Sequence, residues 1–188
     1  MKEPEWVKTF APEVDRHLKK IDKSLSILTG FRLPYANEVC SYSSTGEPEP
    51  SSMKYETDML VIEAFDSKWI PRVIVEAKCH GSISTHDAIT YSDKASTHRQ
   101  VHPYIRYGIL IGEREHYPLP GRLFRHGTQF DFMLSWVGAE PTTEEMNAFI
   151  ALLCKEVEAS RIMQDIIYNS RKRNRTHYTI LHRELKVK

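Results

Sequence analysis

The sequence predicts an α/β fold in which a central mixed β-sheet is flanked by α-helices, with a long helix near the C-terminal end. Three observations lead to this prediction. Apolar residues recur at helical spacing near both ends of the 188-residue chain. Short apolar runs bounded by turn residues lie between them, which is typical of buried strands. The resulting order is helix, β-hairpin, helix, strand, strand, helix, and one sheet can accommodate all of these elements.

The first half of the chain contains a predicted helix and a predicted hairpin. An apolar stripe predicts a helix over 6–28. The stretch 44–52 is rich in Pro and Ser and is expected to be a loop. Strand-like runs over 55–65 and 70–79 are joined by the sequence DSKW and predict a β-hairpin. A polar segment over 84–104 is expected to be helical.

The second half supplies two more strands and the long helix. The fully apolar run 107–112 predicts a buried strand, and a Pro/Gly-bearing loop leads to a second strand over 130–137. Thr142 and Glu145 have the spacing of a capping box, which predicts the start of a helix. Apolar residues then keep helical spacing towards Asn169.

The composition restricts the classes of function. The net charge is +1, so any contact with nucleic acid must come from local patches. Three cysteines without a CxxC pair favour a reducing, cytoplasmic environment over a disulfide framework. Neither a signal peptide nor a membrane span is expected, because the N-terminus lacks an apolar core and no apolar run approaches about 18 residues. The length predicts a single domain over 1–188.

The segment VIVEAKCH sets two charged residues into an apolar strand. Strand side chains alternate between faces, so Glu76 and Lys78 point away from the face that carries Val73, Val75 and Ala77. Charges at the end of a core strand are costly unless a neighbouring group offsets them. A salt bridge at the strand end is one explanation, and a catalytic site is the other.

The preceding strand carries a second carboxylate, Asp58 in YETDMLVIE. Paired strands bring Asp58, Glu76 and Lys78 to one end of the hairpin. The two carboxylates repel each other, and a hard cation such as Mg²⁺ or Mn²⁺ relieves that repulsion. The lysine is not a ligand, but its charge can act on a phosphodiester that gains negative charge. The pattern therefore predicts a metal-dependent phosphodiester-hydrolysing site.

These residues resemble the PD-(D/E)XK nuclease superfamily, in the D of ETD and in the EAK that follows VIV. Gln100 and Tyr104 in RQVHPY add a Q-x-x-x-Y spacing just ahead of the strand YGILIG. That spacing is similar to the motif of RecB-like nucleases and of type I restriction nuclease domains. In those families the glutamine helps to arrange the metal site, and the tyrosine supports the same helix. The resemblance covers about residues 53–112.

The resemblance implies a restriction-endonuclease-like core and a Mg²⁺-dependent endodeoxyribonuclease, with Mn²⁺ as a substitute. By this likeness Asp58, Glu76 and the carbonyl of Ala77 would bind the metal, and Lys78 would assist the attacking water. A restriction-type or defence endonuclease is expected, dimeric if it cuts both strands of DNA. The alternative is an inactive member that serves as a DNA-binding or assembly module. The sequence does not separate DNA from RNA as the substrate.

Some further residues are weaker candidates. The family often has a glutamate on its first helix near the metal, and Glu13 is preferred for this place over Glu38 because it lies in a helical pattern. His98 and His102 are four residues apart and could form a zinc-binding pair. Polar surface or phosphate contact is the favoured interpretation of these histidines.

Basic residues suggest where nucleic acid would bind. The densest run, RKRNR, consists of Arg171, Lys172, Arg173 and Arg175. Such a run either forms a solvated helix end or contacts phosphates. Arg99 and Arg106 flank Tyr104 and are similar candidates.

The pairing of the hairpin decides whether the carboxylates can meet. If Phe65 faced Ile70 across a loop formed by DSKW, Asp58 would lie opposite Ala77 and on the other face from Glu76. No shared metal site could then form. The nuclease hypothesis therefore requires a shift of one residue, either from a loop of different length or from a β-bulge.

Overall fold

The computed structural model describes residues 2–80, 82–114, 119–169 and 180–181. Its helices are α1 (Glu3–Ile21), α2 (Thr85–Val101), α3 (Gly121–His126) and α4 (Thr143–Asn169). Its strands are β1 (Leu25–Tyr42), β2 (Pro48–Phe65), β3 (Lys68–Lys78), β4 (Arg106–Ile111) and β5 (Phe132–Ser135). They form one sheet in the order β1-β2-β3-β4-β5.

The sheet is mixed. The first three strands pair antiparallel, whereas β3, β4 and β5 run parallel to one another. The parallel pairing brings the C-terminal ends of β3 and β4 to the same edge of the sheet, where Lys78 lies beside Ile111. The predicted α/β class, with a central mixed sheet flanked by helices and a long C-terminal helix, is confirmed.

Alternate residues of β3 contribute to two separate apolar cores, as strand alternation requires. Val73, Val75 and Ala77 belong to the core that contains the buried side chains of α1 and α4. Ile74 belongs to the core that contains those of α2 and α3. Because Glu76 alternates with Val75 and Ala77, it points to the α2 side of the sheet.

The long strand β1 departs from the prediction. The helix expected over 6–28 ends at Ile21, and β1 begins at Leu25. Only Leu25 and Leu33 of β1 are buried, so the strand lacks the clean alternation that a sequence pattern would reveal. β1 is instead stabilised by antiparallel pairing with β2 over nearly its full length.

The turn between β2 and β3 is shorter than expected. Phe65 pairs with Lys68, so only Asp66 and Ser67 form the turn, and Trp69 is already paired in the strand. Asp66 has a φ of 47°, a left-handed conformation that Asp tolerates better than most residues. Without any further irregularity, this turn would also place Asp58 and Glu76 on opposite faces.

A β-bulge in β3 shifts its pairing with β2 by one residue. Ile62 pairs with Pro71 and Val61 pairs with Val73, so Arg72 has no partner in β2. Beyond the bulge Met59 pairs with Val75, which makes Asp58 and Glu76 the next opposing pair. The predicted one-residue shift is therefore confirmed, and a bulge produces it.

The last described helix follows the sequence pattern closely. Thr142 and Glu145 form the predicted capping box, with Glu145 N to Thr142 Oγ1 at 3.2 Å and Thr142 N to Glu145 Oε2 at 2.8 Å. α4 then extends to Asn169. The predicted loop before β5 contains the short helix α3, which the sequence pattern did not indicate.

No helix within the described ranges is long and apolar enough to span a membrane.

Candidate active site

Two carboxyl groups meet where β2 and β3 lie side by side. The Oδ2 atom of Asp58 accepts a hydrogen bond from the backbone N–H of Ala77 at 2.8 Å, which draws the side chain towards β3. The carboxyl groups of Asp58 and Glu76 also lie close enough to affect each other's pKa. Two adjacent carboxylates repel each other, and a cation bound between them would relieve that repulsion.

Glu76 is almost fully enclosed, with 2% of its surface exposed. Its Oε1 atom accepts a hydrogen bond from the hydroxyl of Tyr107, a β4 residue with 0% exposure. Burial is the main reason that the pKa of Glu76 rises to about 7, and the neighbouring Asp58 carboxylate raises it further. This hydrogen bond from Tyr107 fixes the orientation of the Glu76 carboxyl group. No local pattern in the sequence indicated the contact.

Asp58 is half-buried, and its surroundings shift its pKa in opposite directions. Burial raises the pKa of its carboxyl group, although the N–H of Ala77 and the positive charge of Lys94 act in the opposite direction. The charge of Lys94 also acts to lower the pKa of Glu76. The ammonium of Lys94 lies 5.1 Å from the ring centre of Tyr91 and 5.4 Å from that of Tyr55. α2 therefore contributes a cation to the site.

Lys78 lies at the end of β3, between two helix N-termini. Its Nζ atom is 3.3 Å from Glu3 Oε1 of α1 and 3.9 Å from Asp87 Oδ1 of α2. It also lies 5.2 Å from the ring centre of Tyr91. Burial alone would lower the pKa of Lys78, but Tyr91, Glu3 and Asp87 together raise it. Lys78 is thus a cation at neutral pH.

The first turn of α2 is built to hold Asp87 in this position. Ser84 Oγ accepts a hydrogen bond from Asp87 N at 3.0 Å, and Asp87 Oδ2 accepts one from Ser84 N at 2.8 Å. This reciprocal cap leaves the other oxygen of Asp87 to face Lys78.

A small cleft of about 160 Å³ opens in front of Asp58. Its lining consists of Pro4, Lys8, Thr29, Gly30, Glu56 and Asp58. The cleft opens to the surface between α1 and the β1–β2 hairpin.

The glutamate of the first helix that lies at the site is Glu3, not the predicted Glu13. Glu13 is about 15 Å further along α1, because each helical residue adds about 1.5 Å. Its Oε1 atom lies 3.3 Å from Arg16 on an exposed face. Glu38, the other candidate, is exposed on β1. Glu3 reaches the site because Trp6 packs against Gly112, where an added Cβ would lie 2.5 Å from the indole ring.

The predicted pair Gln100 and Tyr104 is not brought to the carboxylates. Gln100 is exposed in the last turn of α2. Tyr104 lies beyond the helix, because α2 ends before Pro103, and its ring contacts Arg72 and Tyr168 instead.

The first turns of α2 contain a better match to the same spacing. Asp87 and Tyr91 are also four residues apart, and both contact Lys78. Asp87 lies three residues after Ser84, the N-cap of α2, and Tyr91 lies four residues after Asp87. This D-x-x-x-Y spacing is the sequence signal for the face of α2 that contacts Lys78.

Arg99 and Arg106 are engaged within the chain. Arg99 lies 2.6 Å from Asp131, and Arg106 lies 2.9 Å from Asp131 and 2.6 Å from Glu156. Arg106 is opposite Val73, at the other end of the paired stretch of β3 and β4 from Lys78. These two guanidinium groups are thus used to hold β4 against its neighbours, and their placement does not favour the predicted contact with nucleic acid.

The remaining predicted residues divide into two groups. The basic run Arg171, Lys172, Arg173 and Arg175 lies outside the described residues. His98 is fully buried, its Nδ1 atom lies 3.1 Å from the carbonyl oxygen of Pro34, and its ring stacks on Tyr107. Within the described ranges, neither His98 nor His102 belongs to a group of three metal-ligating side chains.

The donor set at the carboxyl pair fits a hard divalent cation. Asp58 and Glu76 supply only oxygen atoms, and the backbone of Ala77 passes directly beside them. Mg²⁺ and Mn²⁺ prefer such ligands.

Comparison with solved structures finds similar chains, two of which are described here. The restriction endonuclease BsaWI, solved in a complex with DNA, matches with a TM-score of 0.44 and 10% identity over 88% of this chain. The matched region spans 63% of the BsaWI chain. The small subunit of the heterodimeric restriction endonuclease R.BspD6I matches with a TM-score of 0.31 and 14% identity, over 87% of this chain and 97% of that one.

No protein-family model matches the chain. No curated protein matches it in sequence. At these identities and TM-scores we assign the site residues from the geometry of this chain alone.

Proposed function

We propose that this chain is a divalent-metal-dependent phosphodiester hydrolase that cuts DNA. The observation that carries the proposal is the pairing of Asp58 with Glu76 beyond the Arg72 bulge, with Lys78 on the same strand two residues later. A regular hairpin with the same turn would have separated the two carboxylates. A bulge that joins them is the kind of feature that accompanies active sites.

Each side chain has a separate task in this proposal. Asp58, Glu76 and the carbonyl of Ala77 would hold Mg²⁺, with Mn²⁺ as a substitute. When bound, the cation would polarise the phosphodiester and lower the pKa of a water molecule. Tyr107 keeps Glu76 aimed at the same point as Asp58. Lys78, a cation held between Glu3 and Asp87, stabilises the negative charge that develops on the phosphate.

The environment of Lys78 also supports a second candidate function. Two carboxylates, Glu3 and Asp87, already pair with the ammonium. A chain in which these pairs persist when DNA binds would be an inactive DNA-binding or assembly module. The two functions differ in whether cleavage accompanies binding.

Cleavage assays with matched variants test the proposal. Supercoiled, linear and single-stranded DNA would be incubated with the full chain in Mg²⁺, Mn²⁺ or chelator. We expect cleavage only with a metal, and its loss in Asp58→Asn and in Glu76→Gln. The control is Glu56→Gln, because Glu56 lines the same cleft and is exposed. Binding without cleavage under every condition would instead support the inactive module.

The assembly of the active form belongs to the same proposal. Cleavage of both strands would require two active sites, so a homodimer is expected on DNA. Sedimentation velocity with and without a DNA duplex measures this directly. A restriction or defence role would follow only if the chain cuts foreign DNA and spares modified DNA.

A further inference from the structure

A second cluster of metal-ligating side chains lies beside the carboxyl pair. Cys79 and His80 follow Lys78 directly, and Glu113 follows the end of β4. The Cys79 Sγ, one His80 ring nitrogen and one Glu113 carboxylate oxygen lie within 4.8 Å of one another. The His80 Nδ1 and Glu113 Oε2 atoms are 2.7 Å apart. Three potential ligands thus converge from two neighbouring strand ends.

The sheet itself holds these strand ends together. Gly112 N donates to Lys78 O at 2.8 Å, which continues the parallel pairing past Ile111. Glu113 N donates to Gly138 O at 3.1 Å and so fixes the residue from its other side. The cluster therefore lies at hydrogen-bonded strand ends of the sheet.

His80 and Glu113 both have a left-handed backbone conformation. His80 has a φ of 67° and Glu113 has a φ of 57°, and within the described ranges Asp66 is the only other non-glycine residue with a positive φ. Each residue lies two positions past the end of its strand, and the two side chains meet between the strand ends. Cys79 remains buried beneath them, with 8% of its surface exposed.

We infer that Cys79, His80 and Glu113 form a zinc-binding site separate from the Asp58–Glu76 pair. A thiolate, an imidazole and a carboxylate are the ligand types that Zn²⁺ takes, at about 2.0–2.3 Å. Ligand atoms of a tetrahedral site then lie about 3.5 Å apart, so the cluster needs only small side-chain rotations. The soft sulfur disfavours Mg²⁺, whereas the all-oxygen pair favours it. The fourth position is left to water or to a ligand from solution.

Cobalt substitution tests this site, because Co²⁺ bound to a thiolate absorbs in the near ultraviolet whereas Co²⁺ bound only to oxygen does not. The full chain would be freed of metal with a chelator, dialysed and titrated with Co²⁺ and then with Zn²⁺. We expect one thiolate-bound Co²⁺ per chain, displaced by Zn²⁺. The absence of this band in the folded wild-type chain would overturn the inference.

The three cysteines provide matched variants. Cys79→Ser is expected to abolish the thiolate band, and Cys40→Ser and Cys154→Ser are expected to retain it. Persistence of the band in Cys79→Ser would overturn the inference. His80→Asn preserves the left-handed backbone, since Asn tolerates that conformation. It should weaken Zn²⁺ binding at least about 10-fold without affecting the fold, and unchanged Zn²⁺ affinity would overturn the inference.

The Asp58→Asn variant separates this inference from the proposed nuclease function. Because the cobalt band reports only on the cysteine, it should be unchanged in Asp58→Asn even though Mn²⁺ binding at the carboxyl pair is lost. Loss of the band in this variant would show that the thiolate shares a single site with Asp58 and would overturn the separate zinc site.

Discussion

Glu63 accepts a hydrogen bond from Arg72, with 2.7 Å between Oε2 and Nε, and both residues are buried. Arg72 is the extra residue of the β3 bulge. Its guanidinium also donates to Gln164 Oε1 of α4 at 2.7 Å. These contacts hold Arg72 out of the β2–β3 ladder, and its displacement places Asp58 opposite Glu76. A buried ion pair far from the site thus maintains the pairing on which the site depends.

The first prediction concerns this ion pair. Arg72→Met should lower the free energy of unfolding by about 3 kcal/mol, because the buried carboxylate of Glu63 then loses its ion pair with the Arg72 guanidinium. Glu63→Gln should be destabilising as well, and the double variant should recover at least about 1 kcal/mol relative to additivity. Urea denaturation measures all three. The control is Arg16→Met, whose partner Glu13 is exposed, with an expected change within about 0.5 kcal/mol.

A second prediction concerns Tyr107, which donates to Glu76. Tyr107→Phe removes only the hydroxyl and leaves Glu76 less constrained. Mn²⁺ binding, measured by calorimetry, should weaken about 10-fold while the fold is retained. The matched control is Tyr104→Phe, since the Tyr104 ring contacts Arg72 and Tyr168 rather than the carboxyl pair. Equal Mn²⁺ affinity in the two variants would contradict the orienting role of Tyr107.

The third prediction distinguishes the two lysines near the site. Lys78→Ala should reduce DNA cleavage at least about 100-fold. It should keep Mn²⁺ binding, because an ammonium is not a ligand. Lys94→Met tests the rival cation, whose charge acts on both carboxyl groups. Cleavage that survives in Lys78→Ala and is lost in Lys94→Met would transfer the role to Lys94.

A fourth prediction links pH to stability through His98. Burial lowers the pKa of His98 to about 4, from an ordinary value of 6.5. The folded state therefore binds the proton less readily than the unfolded state does. The buried, neutral His98 therefore contributes about 3 kcal/mol to the free energy of unfolding above pH 6.5. This contribution is lost as the pH falls towards 4.

Chemical denaturation of the wild type between pH 7 and pH 4 would reveal this loss. His98→Phe should show a shallower decline over the same range, since Phe does not titrate. His86→Gln is the control, because His86 is exposed on α2. Identical acid slopes in the wild type and in His98→Phe would refute the assignment.

The fifth prediction concerns the basic run Arg171, Lys172, Arg173 and Arg175. If these residues contact phosphates, replacing all four with serine should weaken DNA binding for every sequence. The dependence of log Kd on log salt should flatten by up to about one unit per lost contact. Lys20→Ser with Lys23→Ser is the control, as both side chains are exposed near the end of α1. An unchanged slope would assign the run to the solvated surface.

The local features of this protein follow from its sequence alone. Strand alternation placed Glu76 and Lys78 on one face, and the capping box located the start of α4 at Thr142. It also required that the hairpin deviate by one residue for Asp58 to join Glu76. These features depend on the residues themselves and on their near neighbours in the chain, so a single sequence contains them.

The distant groups that complete the site depend instead on how the helices pack against the sheet. The bulge falls at Arg72 because Glu63 and Gln164 hold its guanidinium, and Gln164 is 92 positions away along the chain. The packing of Trp6 on Gly112 selects Glu3 over Glu13. The direction of α2 brings Asp87 rather than Gln100 to Lys78. Helix placement results from the packing of whole faces, and no local spacing in the sequence encodes it.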